Sequence, residues 1–448
     1  MAETALVWLR NDLRIAGNPA LAEALARGGR VVAVYGVETD PALRQRGAAS
    51  LWWLHQSLAA LSGDLAPYGV ELEISSGPAE ATLIAAVARH AAGAVFWNRR
   101  YSPAEREIDS SIKSKLRQLG VESRSLPGNV LAEPFDIQTR QGGPYGVFTP
   151  FWRTLRSHDI ADPQPGPAPS FRPIAPHSLD TGYVPPAWAH KLARYWKPGE
   201  VSARHRLETF LDGALGDYPD ARDRPSRDAT SRLSPHIAFG EIDVRLVWHA
   251  ALAVAQRDPA KVDAVEKFLS ELAWRDFNIH QLYHRADIAD VPMQPRFAAL
   301  PWRESQSDLV AWQRGQTGIP IVDAGMRELW ETGFMHNRVR MLTASFLAKT
   351  LLLDWRLGEQ WFWDCLVDAD LASNPGNWQW VAGTGLDASP WFRIFNPLSQ
   401  AARFDPDETY VRRWVPELGT PPYPAPIVDL AASRERALAA FSALPRAS

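Results

Sequence analysis

What most constrains this chain is a rhythm that runs through its first hundred residues and then stops. Residues 5–9 (ALVWL), 31–37 (VVAVYGV), 70–74 (VELEI) and 93–97 (GAVFW) are short apolar runs. Ala-rich stretches at 18–27, 48–66 and 78–92 lie between them, with apolar residues at helical spacing. A strand covered on both faces reads as a short continuous apolar run, and a helix between two such runs connects a parallel pair. The pattern predicts a Rossmann-like parallel sheet with right-handed crossovers and a ligand edge at the carboxyl ends of its strands. No G-x-G-x-x-G follows the first run, where the chain reads LRNDLRIAGN, so an ordinary dinucleotide site in this half is not expected.

The rhythm ends in proline. Residues 127–200 hold 13 of the 36 prolines, including PQPGPAP at 163–169. That density opposes long helices and predicts an extended connection, ordered in part by packing on its neighbours. Beyond it, 241–256, 258–284, 320–332, 335–353 and 359–370 carry apolar residues at three- and four-residue spacing, while strand-like alternation is nearly absent. The fold class is thus α/β followed by all-α: a sheet domain over 1–130, a linker over 131–200 and a helical domain over 201–448.

Composition excludes whole classes. At 448 residues the chain builds full-sized cores, and 46% hydrophobic with 22% charged residues is ordinary for a folded protein. The single cysteine, Cys365, forms no internal disulfide and no Cys-cluster metal site. No apolar run approaches the roughly 18 residues of a membrane span, and MAETALVWLRNDLR lacks the layout of a signal peptide. A cytoplasmic location is the expectation. The net charge of −3 gives no global attraction to nucleic acid, which leaves room for a local basic face. Forty-one of the 48 basic residues are arginine, a bias that GC-rich coding also produces. Of 19 tryptophans, ten fall between Trp302 and Trp414, more than packing asks for, since each buried indole N–H wants a partner.

Candidate chemistry sorts quickly. His280 and His284 in HQLYH have a zinc-compatible spacing, but Gln281 stands where a metalloprotease needs glutamate and no third ligand is evident; a partly exposed helix face and no metal site are expected. Nucleophile-elbow and P-loop motifs are missing. In DATSRLSPHIAFGE (228–241), Thr230, Ser231 and Ser234 bracket Arg232 before a Pro-led helix, an arrangement that suits phosphate and equally an ordinary cap. In FMHNRVRM (334–341), Arg338 and Arg340 are two apart, so one is expected to face inward and the other solvent. Asp368 and Asp370, in LVDADLASNPGNWQW (366–380), offer carboxylates to an inward arginine. Acidic, amide and indole groups this dense are costly in a core without a polar ligand.

TSRLSPHIAFGEI, ELAWRDF, TGIPIVDAGMRELWETGFMHNRVRM, DWRLGEQWFWDCLVDADLASNPGNWQW and PWFRIFNP together resemble the photolyase/cryptochrome family, as does the opening ALVWLRNDLRIAGNPAL. The resemblance runs from residue 5 to about 418 and implies an α/β photolyase domain joined to a helical FAD domain. Among its branches, (6-4) photolyases carry a histidine pair where this chain has Asn337 and Met341, and plant-type cryptochromes usually carry Asp where Asn374 stands. The chain is most similar to the cyclobutane pyrimidine dimer (CPD) photolyases closest to plant cryptochromes, often called class III. The alternative is a cryptochrome-type blue-light photoreceptor without repair activity.

By resemblance, Tyr218, Thr230, Ser231, Arg232, Leu233, Ser234 and Phe268 hold FAD, with Glu271 and Arg275 bordering it. Arg340 pairs with Asp368 beside the flavin, and Asp370 and Asn374 line its polar edge. Trp274 and Trp380 stack on flipped-out bases, with Asn337, Arg338 and Met341 lining that pocket; Arg222 and Arg393 touch DNA phosphates. Trp378, Trp355 and Trp302 match an electron relay. The implied antenna is a reduced folate, 5,10-methenyltetrahydrofolate, with Glu105 at a folate contact. Damaged DNA is the implied partner of a monomer that needs no other protein.

Overall fold

The computed structural model describes residues 3–168, 173–175, 179, 181–391 and 393–445. The four apolar runs are strands β1 (Thr4–Leu9), β2 (Val31–Glu38), β3 (Glu71–Gly77) and β4 (Ala92–Asn98). A fifth, β5 (Glu122–Leu126), completes a parallel sheet of order β3-β2-β1-β4-β5. Its sequence, ESRSL, is no apolar run because this edge strand buries only Leu126, with Ser123 and Ser125 half-buried and Glu122 and Arg124 exposed. In the central strands both faces are covered. Val7, Ala33, Tyr35 and Phe96 pack with α1 (Pro19–Ala26) and α2 (Ala48–Leu65). Leu6, Trp8, Val32, Val95 and Trp97 pack with α3 (Ala79–Arg89) and α4 (Pro103–Gln118) on the other face.

The proline-rich stretch holds a helix that its composition hides. α5 (Phe148–Ser157) buries Phe148, Phe151 and Leu155 in the same core as Phe268, Leu272 and Phe277. Pro150 sits in the first turn of α5, where a missing N–H breaks no intrahelical bond, so proline did not forbid it.

The rest is helical. α6 (Glu200–Thr209), α7 (Tyr218–Ala221), α8 (Ser234–Ala238), α9 (Val244–Arg257) and α10 (Val262–His284) come first. Next are α11 (Gln306–Gln313), α12 (Pro320–Thr332), α13 (Asn337–Ser345), α14 (Trp355–Cys365) and α15 (Ser373–Ala382). α16 (Pro397–Phe404), α17 (Thr409–Trp414) and α18 (Leu430–Ser442) close the chain. Two periodic stretches differ from expectation. The 335–353 pattern is α13 followed by a π-turn at Phe346–Thr350. The 359–370 pattern is shifted: Asp354 caps the Arg356 N–H at 3.0 Å and starts α14 at Trp355, and the chain leaves the helix at Leu366. Asp368 and Asp370 therefore ride on a loop.

The sheet half docks through α2. A Cβ on Gly47, the residue before α2, would stand 2.0 Å from the Trp363 carbonyl oxygen, so only glycine permits the approach. The Ala48 N–H donates to Asp364 Oδ1 at 2.9 Å, and Ser50 Oγ to the Leu366 carbonyl at 3.0 Å. Among the described residues, no helix is long and apolar enough to cross a membrane.

Candidate functional site

α10, α13, α15 and the 366–372 loop enclose a cavity of about 490 Å³. α10 supplies Phe268, Glu271, Trp274, Arg275 and Asn278, whose three- and four-residue spacing puts them on one face. Arg222 reaches Glu271 from α7's C-terminal end in an ion pair, and Lys267 joins at 3.1 Å. Burial pushes the Glu271 carboxyl up, but the bond and charge of Arg222, with Lys267, outweigh it and hold it below its usual range. Burial also raises the Tyr218 phenol. Arg275 instead donates to the Asn129 carbonyl at 2.8 Å.

In the first turn of α13 Val339 enters the core while Asn337, Arg338 and Arg340 line the cavity, so the expected division between Arg338 and Arg340 does not hold. Arg338 pairs with Asp223 at 2.6 Å and Arg340 with Asp368 at 2.9 Å. His336 caps this turn, its Nδ1 accepting from the Arg338 N–H at 3.2 Å. Burial pushes His336 down to about 4, which keeps the ring neutral and able to accept.

The run Thr230, Ser231, Arg232, Leu233 and Ser234 lies along one wall. α8 is a single turn, and the Ser234 hydroxyl donates to Asp368 Oδ2 at 2.6 Å. Asp368 thus receives Arg340 and Ser234 on one oxygen, while its Oδ1 is buried without a partner, as is Arg338 Nε. Buried polar atoms are normally satisfied, so these orphans mark a cavity shaped for a polar ligand. Asp370 Oδ1 takes the Ala372 and Ser373 N–H groups at 2.8 and 2.6 Å and so holds the turn into α15. Asn374, Trp378, Trp380, Asn337 and Met341 complete the candidate lining.

Aromatic placement is specific. Trp274 stacks on Phe148 of α5, centroids 3.8 Å apart and planes 9° off parallel, which leaves its other face for a ligand. A Cβ on Gly358 would meet the Trp378 ring at 2.2 Å, so this glycine lets α14 and α15 close around that indole. Trp355 is fully buried, and Trp302 is only partly buried. An isolated bridge between Arg303 and Leu353 ties their two segments together.

Four candidates lie outside the cavity lining: Trp355, Trp302, Arg393 and Glu105. Arg393 is exposed, and its carbonyl accepts from the buried Lys349 ammonium at 3.3 Å. Glu105 caps α4 through the Ser102 N–H and hydroxyl, at 3.2 and 2.7 Å. It lines a second cavity, about 200 Å³, at the carboxyl edge of the sheet with Arg10, Arg44, Arg99 and Arg100. His280 corrects another expectation: it is buried, with Nε2 accepting from the Tyr145 N–H at 2.9 Å, and only His284 is exposed. The apolar surroundings that α5 adds are what the sequence did not reveal. Among the described residues no cluster of three or more His, Cys, Asp or Glu could hold a metal ion.

Sequence reasoning missed Asn278, Phe334, Asn377 and the residue behind Asn374, Glu359. Asn278 was within reach, one turn beyond Trp274 on the α10 face. Glu359 had no local signal.

Both halves of the chain are similar to known proteins. The family model described as "DNA photolyase" matches residues 5–170, and "FAD binding domain of DNA photolyase" matches 268–422. A deoxyribodipyrimidine photo-lyase of Agrobacterium fabrum is 46% identical over 98% of each chain. The crystal structure of a bacterial class III photolyase from Agrobacterium tumefaciens superposes with a TM-score of 0.92 at 45% identity, covering 99% of this chain and 98% of that one. Cryptochrome-1 of Arabidopsis thaliana is 35% identical over 93% of this chain and 63% of its own length.

Proposed function

Since this chain belongs to the DNA photolyase family, we propose that it repairs cyclobutane pyrimidine dimers in DNA under blue light, with FAD held in the helical cavity. The observation that carries this is the cavity itself: about 490 Å³, within the usual range for cofactor sites, with unpaired Asp368 Oδ1 and Arg338 Nε beside it. Those donors and acceptors, with the hydroxyls of Thr230, Ser231 and Ser234, fit a group that carries phosphates, hydroxyls and a polar ring edge. When bound and reduced, FAD supplies the excited electron that opens the cyclobutane ring and then returns, with no net redox change.

The chain's own residues do the rest. Tyr218, Phe268 and the 230–234 run hold the cofactor; Glu271, Arg275, Asp370 and Asn374 border it; Arg340 and Asp368 fix the loop beside it. The free face of Trp274, with Trp380, receives the flipped-out dimer between Asn337, Arg338 and Met341. A damaged step stacks and pairs poorly, which lowers the cost of flipping it. Arg222 and exposed Arg393 meet backbone phosphates. Trp378 at the cavity, buried Trp355 and partly exposed Trp302 form a route for electrons from the surface.

In this reading residues 1–130 carry the antenna, 131–200 connect, and 201–448 bind FAD and DNA, in a cytoplasmic monomer. The arginine-lined cavity with Glu105 is where a reduced folate, 5,10-methenyltetrahydrofolate, would dock; at about 200 Å³ it would hold part of that molecule. The test is to incubate reduced, FAD-loaded protein with an oligonucleotide containing one dimer, in blue light and in darkness. Dimer loss in light alone is expected. Its absence with cofactor loaded and reduced would leave light sensing as the function.

A further inference from the structure

One chain of contacts runs from the sheet half into the cavity. The Arg44 guanidinium, on the segment between β2 and α2, forks onto the Glu359 carboxylate at 2.7 and 2.8 Å. Arg44 lies over the Trp363 ring, 4.0 Å from its centroid, which orients the fork. The Glu359 side chain, within α14, is 2% exposed. Both its backbone carbonyl and its Oε1 accept from Asn374 Nδ2, at 3.0 and 2.7 Å. Neither acceptor has a hydrogen to give, since a carboxylate receiving two arginine N–H groups acts as acceptor only. The chemistry of the partners thus decides which end of the Asn374 amide is which. Its NH2 is committed to Glu359, and Oδ1 is the end left for the cavity that Asn374 lines.

We propose that Arg44 is a positioning residue: acting through Glu359, it holds Asn374 so that the cavity is offered a hydrogen-bond acceptor. This rests on the cavity being the FAD site. An acceptor favours a protonated ring nitrogen and opposes the lone pair of an unprotonated one. Flavin reduction protonates a ring nitrogen, so the clamp favours the reduced form and raises the cofactor's potential. Without Arg44, the Glu359 carboxylate loses the fork that fixes it from its far side. The Asn374 amide then keeps only the backbone carbonyl as a fixed acceptor, and its Oδ1 is no longer held toward the cavity.

The test is a redox titration of bound FAD in wild type, Arg44→Gln, Asn374→Ala and the double variant, with a thermal melt of each. Arg44→Gln should lower the reduced-to-oxidised ratio at a fixed poise about tenfold, which is about 30 mV for a two-electron couple. In the Asn374→Ala background the same substitution should shift nothing, because the clamp acts only through the amide. Arg44→Lys, which keeps the charge and loses the fork, should give a smaller shift of the same sign, and it takes the place of Arg44→Gln if that variant does not fold. Equal shifts in both backgrounds, or none in either, would overturn the clamp while leaving the FAD site standing. A wild type that takes up no FAD would overturn both.

Discussion

The helical cavity and the cleft at the sheet's carboxyl edge are both rich in arginine, yet they leave very different room for a ligand. In the helical cavity, Arg222 and Arg340 pair with Glu271 and Asp368 of the lining, Arg338 pairs with Asp223 outside it, and about 490 Å³ stays clear. In the sheet-edge cleft, Arg10 and Arg100 converge on Asp109, at 3.3 and 2.7 Å, and Arg100 also holds Glu38. Burial opposes the charge of Arg100, but Asp109, Glu105 and Glu38 outweigh it and keep its pKa high. Glu38 and Glu105 line the cleft with these arginines while Asp109 lies outside the lining, and about 200 Å³ stays open. Both sites neutralise their arginines with carboxylates, so the open volume, more than the number of charges, separates a cavity ready for a large ligand from a narrow cleft.

The comparison can be broken most directly at its redox end. Trp378→Phe should abolish photoreduction of oxidised FAD while pre-reduced protein still repairs, because phenylalanine keeps the packing and is far harder to oxidise. Absorbance under blue light with a mild reductant measures it, and unchanged photoreduction would take Trp378 out of the relay. Next in size, Arg340→Met should remove the cation from Asp368, whose side chain is 3% exposed. Losing one partner of such a pair costs about 3 kcal/mol, and flavin content should fall with it. Urea unfolding and the flavin-to-protein absorbance ratio report both; full cofactor content would mean the wall pairs do not shape the cavity.

Acid should act on the helical side through His336. Folded, it is held neutral down to about 4, against about 6.5 for an ordinary histidine. Between those values the unfolded chain takes a proton that the folded one refuses, so stability falls as pH drops from 6.5 toward 4 and is fully present above 6.5. The slope reaches about 1.4 kcal/mol per pH unit. His336→Asn, which can still cap α13, should flatten that part of a stability–pH profile; an unaltered profile would show that His336 is not the titrating group. The smallest effect is expected in the cleft. Glu105→Gln should weaken the α4 cap by about 0.5–1 kcal/mol and leave FAD content unchanged. A loss of FAD on that substitution would show that the cavities are not independent.

Much of the fold was legible because local patterning records which residues are buried. Runs such as VVAVYGV announce strands covered on both faces, and the α10 spacing lines up Glu271, Trp274 and Arg275. β5 escaped because an edge strand keeps polar residues, and α5 because proline density outweighed its amphipathic pattern. The asymmetry predicted for Arg338 and Arg340 failed because α13 begins at Asn337, so both fall in a first turn that borders the cavity. The resemblance located the lining residues from Tyr218 to Trp380 and one pairing, Arg340 with Asp368, but none of the other partners.

Those partners are a matter of tertiary structure. Arg44 and Glu359 are 315 residues apart, and Ser234 and Asp368 are 134 apart. Neither pair follows from any period, because what lies across a contact depends on how two surfaces dock. Gly47 and Gly358 allow α2 to seat on α14 and α14 to close on Trp378, and only then do these charges meet. Sequence alone determined most of the elements and the candidate side chains they carry; docking decided which amide end, which carboxylate oxygen and how much open volume a ligand finds. Burial is a property that each segment carries in its own pattern, whereas the geometry of a polar site exists only between segments.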